Sequence, residues 1–149
     1  MAGFIGVIVI GAGPGMANTT AKAAKMEVAL GAAVRAAGDI LANTMKDLCP
    51  VDLGDLRDSI SVESHGPTSV TVGPRLFYAP YVEFGAGPHF PNLDRLGAWA
   101  DRHGMTPGQI VSSIAANGVQ AHPFVVPSIE VSRGQMEDVM LTMDAIILS

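Results

Sequence analysis

The apolar positions of this chain change their period twice. From about Asn18 to Leu48, Met26, Leu30, Val34, Ala37, Leu41, Met45 and Leu48 recur at steps of three and four, the stripe of one long helix. Asn18 or Thr19 is placed to cap its start, and Pro50 forbids its continuation. Between Ser59 and Val72 the period falls to two. Ile60, Val62, Val70 and Val72 then share one face of a hairpin, turning at His65-Gly66-Pro67-Thr68. Leu76 to Phe84 reads as a further strand, kept at an edge or bulge by Pro80.

The period lengthens again beyond Gly85-Ala86-Gly87-Pro88. Residues 89–121 form a helical insert. Leu93, Leu96, Trp99 and Ala100 give one short helix ending near Gly104. Thr106-Pro107 opens a second, with Ile110, Val111 and Ile114 as its apolar face and Asn117-Gly118 as its stop. His122-Pro123-Phe124-Val125-Val126-Pro127 is expected to be extended, since each proline disfavours helix in the residue before it. Ser128 then caps a last helix whose face is Met136, Val139, Met140, Met143, Ile146 and Ile147. Gly31 and Gly38 each cost about 1 kcal/mol relative to alanine inside the first helix, which implies a close neighbour there: the sheet or another subunit.

Composition narrows the function more than the fold. The 149 residues suit a single domain, 1–149, with residues 1–15 as an N-terminal strand or arm. Alanine and glycine are abundant and aromatics scarce, so burial per residue is modest and burial between subunits is expected. A formal charge of -5 argues against a general nucleic-acid binder. Cys49 is the only cysteine and lies beside Pro50 with no histidine near in sequence, so it reads as a structural thiol. The apolar run Phe4 to Ile10 is too short to cross a bilayer.

One motif invites a different chemistry. Val7-Ile8-Val9-Ile10-Gly11-Ala12-Gly13-Pro14-Gly15 is a strand running into glycines, as dinucleotide-binding folds begin. The third glycine of that fingerprint falls on Met16, and the acid expected at a second strand end is Asp39, inside a helical pattern. An oxidoreductase using Gly11 to Gly15 is therefore the weaker alternative, and an edge strand followed by a glycine turn the stronger. His89 and His122 lack a third metal ligand, and Asp52, Asp55, Asp58 and Glu63 lack the lysine or histidine a nuclease would need. No catalytic residue, metal or cofactor is expected.

Three segments carry a resemblance. Pro50-Val51-Asp52-Leu53-Gly54-Asp55-Leu56-Arg57-Asp58-Ser59-Ile60 is similar to a conserved-order stretch of a tail-component family of long-tailed bacteriophages, with Leu53 where that family usually has threonine. Tyr78-Ala79 with Val82-Glu83-Phe84-Gly85 resembles its second element, although Ala86 often is threonine there. His122-Pro123-Phe124 and Pro127 resemble its third. The resemblance implies an α+β fold, a long helix across a small antiparallel sheet with a helical insert and a C-terminal helix. It also implies a virion protein of the neck, forming a homo-oligomeric ring, usually six-fold, around the DNA channel. Its partners would be the head connector, the tail terminator and the tail tube. Tail terminator and head-closure protein are the alternatives within that neck.

For such a protein the interface candidates are Asp52, Asp55, Arg57 and Asp58, then Tyr78, Tyr81, Glu83 and Phe84, then His122 and Phe124. Gly54 turns the backbone between helix and strand, and Arg57 is placed to pair with Asp55, Asp58 or Glu83. Phe77, Tyr78, Tyr81 and Phe84 concentrate aromatic surface of the kind that anchors subunit contacts. The N-terminal arm is expected to add a strand to the sheet edge of a neighbouring chain.

Overall fold

A computed structural model describes residues 10–11, 20–92 and 96–148. The elements run β1 (Ile10–Gly11), α1 (Thr20–Leu48), α2 (Asp55–Asp58), β2 (Ser61–Ser64) and β3 (Ser69–Gly73). They continue with α3 (Ala79–Phe84), α4 (Gly97–Arg102), α5 (Pro107–Asn117) and α6 (Val125–Leu148). This is the expected α+β organisation. The chain divides into two compact units, Met1–Ala79 with Pro123–Ser149, and Pro80–His122.

In the first unit, α1 is the axis on which everything else is laid. Its stripe is buried through its middle and C-terminal half, at Val34, Ala37, Leu41 and Met45, while Met26 and Leu48 at the two ends remain exposed. The capping positions Asn18 and Thr19 lie outside the described residues. The two helical glycines explain how closely α1 lies on the sheet. A Cβ at Gly38 would stand 3.0 Å from Val70 Cγ2 and 3.2 Å from Val62 Cγ1. One at Gly31 would collide with the carbonyl oxygen of Pro67 in the hairpin turn. The close neighbour is therefore the chain's own sheet and turn.

The sheet has the order β1-β3-β2 and is antiparallel throughout. Val62 pairs with Val72 and Ser64 with Val70, so the valines share the face toward α1 while Ser61 and Glu63 take the other. The His65 amide donates to the Ser69 carbonyl at 2.9 Å and closes the turn. On the central strand's other edge, Ile10 pairs with Val70 and Gly11 with Ser69 of the same chain. Those two residues of the expected arm thus serve their own sheet; the rest of residues 1–15 lies outside the described residues.

α6 packs along α1. It begins at Val125, four residues before the helix start that a Ser128 cap would set. Pro127 stands in the first turn, where the missing N–H would have had no helical partner, so it starts the helix instead of delaying it. Ser128 accordingly does not cap. It is fully buried, and its Oγ donates to the Val125 carbonyl at 2.6 Å; Ser132 Oγ donates to the Ser128 carbonyl at 2.6 Å.

The second unit is built from short helices joined by glycines. Residues 79–84, expected as a strand, are helical. Pro80 is the second residue of that helix, a position where proline costs no hydrogen bond. Gly85, at φ 69, ends it in the left-handed region that suits glycine. Beyond it, Ala86 and Val119 form an antiparallel bridge, and the His122 amide donates to the Val82 carbonyl at 2.7 Å. α4 and α5 fall where the apolar pattern placed them, with Leu93 outside the described residues. α5 opens with a capping box: the Gln109 amide donates to Thr106 Oγ1, and the Thr106 amide to Gln109 Oε1.

Candidate functional site

The first motif folds as a rigid elbow. Gly54, at φ 96, sits before the single turn of α2, where any side chain would be strained. The motif thus passes through α2 before reaching β2. Leu56 and Ile60 are buried and pin the elbow to the core. The Asp58 amide donates to the Gly54 carbonyl at 2.8 Å, and Ser59 Oγ to the Leu56 carbonyl at 2.7 Å. With the backbone so fixed, Val51 and Leu53 are left 55% and 61% exposed, beside exposed Asp52, Asp55, Arg57 and Asp58.

The start of the second motif lies against this elbow. Burial raises the pKa of Tyr78, and the charges of Asp55, Cys49 and Asp52 raise it further. Phe77 meets Tyr78 edge to face at 5.5 Å and is itself 50% exposed. The first unit therefore exposes Val51 and Leu53 among the aspartates of the elbow, and Phe77 beside Tyr78.

Arg57 makes a 3.8 Å contact with Asp58, both well exposed, which is worth little. Cys49 lies beneath, 5% exposed. Burial pushes its thiol up to about 11, against the opposing pull of the Arg57 guanidinium. So raised a pKa leaves little thiolate at neutral pH, which fits a structural thiol.

Helical geometry sorts the remaining candidates differently from strand alternation. Tyr81 and Phe84, three apart on α3, both reach solvent, whereas Glu83 is 2% exposed. A strand would have put Tyr81 and Glu83 on one face. His122 is exposed and Phe124 fully buried. Glu83 and Phe124 are thus interior residues and offer no docking surface. His89 is exposed, its Nδ1 2.8 Å from the Gly87 carbonyl oxygen. Among the described residues, no three histidine, cysteine or acidic side chains gather as a metal site would need.

Arg75 went unread in the sequence. It reaches across the solvent face of the hairpin, donating from Nε to Ser61 Oγ at 2.7 Å and from Nη2 to Glu63 Oε2 at 3.0 Å. Its backbone amide donates to Ser59 Oγ at 3.3 Å. The available signal was the polar alternation of Ser61 and Glu63 opposite a strand that ends just before an arginine. Glu63 is accordingly engaged in holding the hairpin.

The dinucleotide alternative fails on topology. β1 runs antiparallel to β3, and Asp39 is an exposed residue in the middle of α1, where the fingerprint requires a parallel strand and an acid at its end.

A long helix lies over an antiparallel sheet, with its special glycines spent on close packing and turns. The family model for HK97-gp10-like proteins, described as "Bacteriophage HK97-gp10, putative tail-component", matches residues 17–85. The matched span takes in α1, the hairpin and α3, and with them the first two motifs; the third lies beyond it. Neither a curated protein nor a solved structure matches the chain. The family match points to a structural component of the phage tail, part of the virion, that works through contacts with other tail proteins. No described helix is long and apolar enough to cross a membrane.

Proposed function

We propose that this chain is a neck protein that joins head to tail, assembling in the host cytoplasm as a homo-oligomeric ring between the head connector and the tail. Its work is binding, with no bond-making step. The observation that supports this reading is the exposure of Val51, Leu53 and Phe77, all inside the family-matched span. Three large apolar side chains at or above half exposure, on a backbone this firmly held, suit a preformed contact that is covered on assembly. The aspartates around them give the contact its polar rim.

Light scattering and electron imaging of the purified chain, alone and with isolated tail tubes, test this. Rings, formed alone or on the tube end, are the expected result, and Leu53→Asp should abolish them while leaving the helical dichroism unchanged. A chain that stays monomeric with tubes present, or antibody labelling distributed along the tube instead of at its head-proximal end, overturns the reading.

A further inference from the structure

The outward face of α1 carries an open groove of about 650 Å³ that the chain's described residues leave unfilled. Ala24, Val28, Ala32 and Ala36 step along it at i, i+4 spacing, beside Pro67 of the hairpin turn. Val28 is 75% exposed, well inside a long helix. Glu27, Arg35 and Asp39 line the same groove, are exposed, and make no ion pair among the described residues. Small side chains let another helix approach closely; the charges decide which helix.

A partner of uniform charge would meet either Arg35 or Asp39 as a like charge. A second α1 laid antiparallel would not. When a two-fold axis passes midway between residues 35 and 39, Arg35 of each chain faces Asp39 of the other, and both pairs form together. The same axis sets Lys46 of each chain opposite Val28, where a lysine stem covers apolar surface while its ammonium stays in water. We propose that the outward face of α1 is a homotypic docking surface, on which a second copy of this chain packs its own α1 antiparallel. Burial of Val28 and the alanines supplies the affinity, and the crossed charge pairs set orientation. A two-fold contact closes on itself and cannot generate a cyclic ring, so this surface is independent of the one in the preceding section.

Sedimentation equilibrium of the full chain and two variants decides it. Arg35→Asp makes both paired positions, 35 and 39, acidic, and Asp39→Arg makes both basic. The wild-type chain should show a concentration-dependent dimer, and each variant alone should self-associate at least roughly tenfold more weakly. Mixed in equal amounts, the two variants should recover wild-type affinity, because only the crossed pairing makes both contacts complementary. The mixture leaves each helix unchanged, so recovery cannot come from altered helix stability. If a reversal unfolds the chain, Val28→Lys, which would meet Lys46 as a like charge, and Arg35→Ala ask the same question. A wild-type monomer at all concentrations, variants that associate as wild type does, or a mixture without recovery overturns the proposal. Absence of the wild-type dimer with rings still formed would overturn this proposal alone and leave the neck reading intact.

Discussion

The two units of this chain are held together by different means. Val34, Leu41, Met45, Ile60, Val72 and Phe124, all essentially sealed from water, belong to the unit of α1, the sheet and α6. In residues 80–122 the buried apolar side chains among the described residues are Ala100 and Ile110. That unit depends instead on backbone devices: the capping box of α5, left-handed glycines at positions 85, 104 and 118, and the Ala86–Val119 bridge. The contrast teaches where stability resides. Side-chain burial scales with the area removed from water, whereas caps and turns add increments of about 1 kcal/mol each. The first unit is expected to open only with global unfolding, the second to open locally at lower cost.

The sharpest way to test that division is Phe124→Ala. Emptying a fully buried aromatic site should cost about 3–5 kcal/mol, read as a lower denaturant midpoint for the whole cooperative transition. Gly31→Ala should come next. Alanine favours helix by about 1 kcal/mol, yet its Cβ meets the fixed Pro67 backbone, so a net loss of about 1–3 kcal/mol is expected. A stabilised variant would mean that the hairpin turn yields easily. Thr106→Ala removes one half of the capping box and should cost about 1 kcal/mol. Amide exchange should quicken in α5 and stay unchanged in α1; acceleration in both would break the division between the units.

Smaller still is Arg75→Ala, at under about 1 kcal/mol, because both partners of its ion pair are half exposed. Its readout is faster exchange at the ends of β2. Finally, Cys49 holds its proton up to about 11 when folded, against an ordinary value of 9.0. Above pH 9 the unfolded chain gives up that proton while the folded chain keeps it. The stability that burial of the neutral thiol contributes is therefore complete below pH 9 and is lost as pH rises toward 11. Tyr78, also raised, acts in the same direction above its ordinary value. Cys49→Ser should flatten the part of this decline that begins first.

The first unit was the more legible in sequence, for the same physical reason that it is the better buried. Apolar burial imposes a period, and the stripe Val34-Ala37-Leu41-Met45 and the paired valines of the hairpin carry it. Gly38 and Gly31 could be read as contact points because a helix tolerates glycine poorly without cause. Short segments gave no such signal. Residues 79–84 are too few to separate a period of two from one of 3.6, and their aromatic content favoured strand. Pro80 suits an edge strand or bulge and Pro127 a helix break, yet each stands in a first helical turn, where proline is accommodated. The Arg75 contacts join residues 12 to 16 positions apart, a separation at which sequence pattern alone says nothing about side-chain geometry.

The bridge between Ala86 and Val119 has a consequence for how this protein can vary. A Cβ at Gly118 would run into the Ala86 carbonyl oxygen, and one at Gly85 would lie 2.5 Å from that of Val119, so the two backbone stretches cross where only glycine fits. Outgoing and returning chain are clasped side by side at that point, and what lies between them forms a closed loop. The entropy of closing such a loop grows only slowly with its length. Residues 87–117 are thus a cassette that can be shortened, lengthened or exchanged at small thermodynamic penalty, provided the two glycines of the clasp are kept.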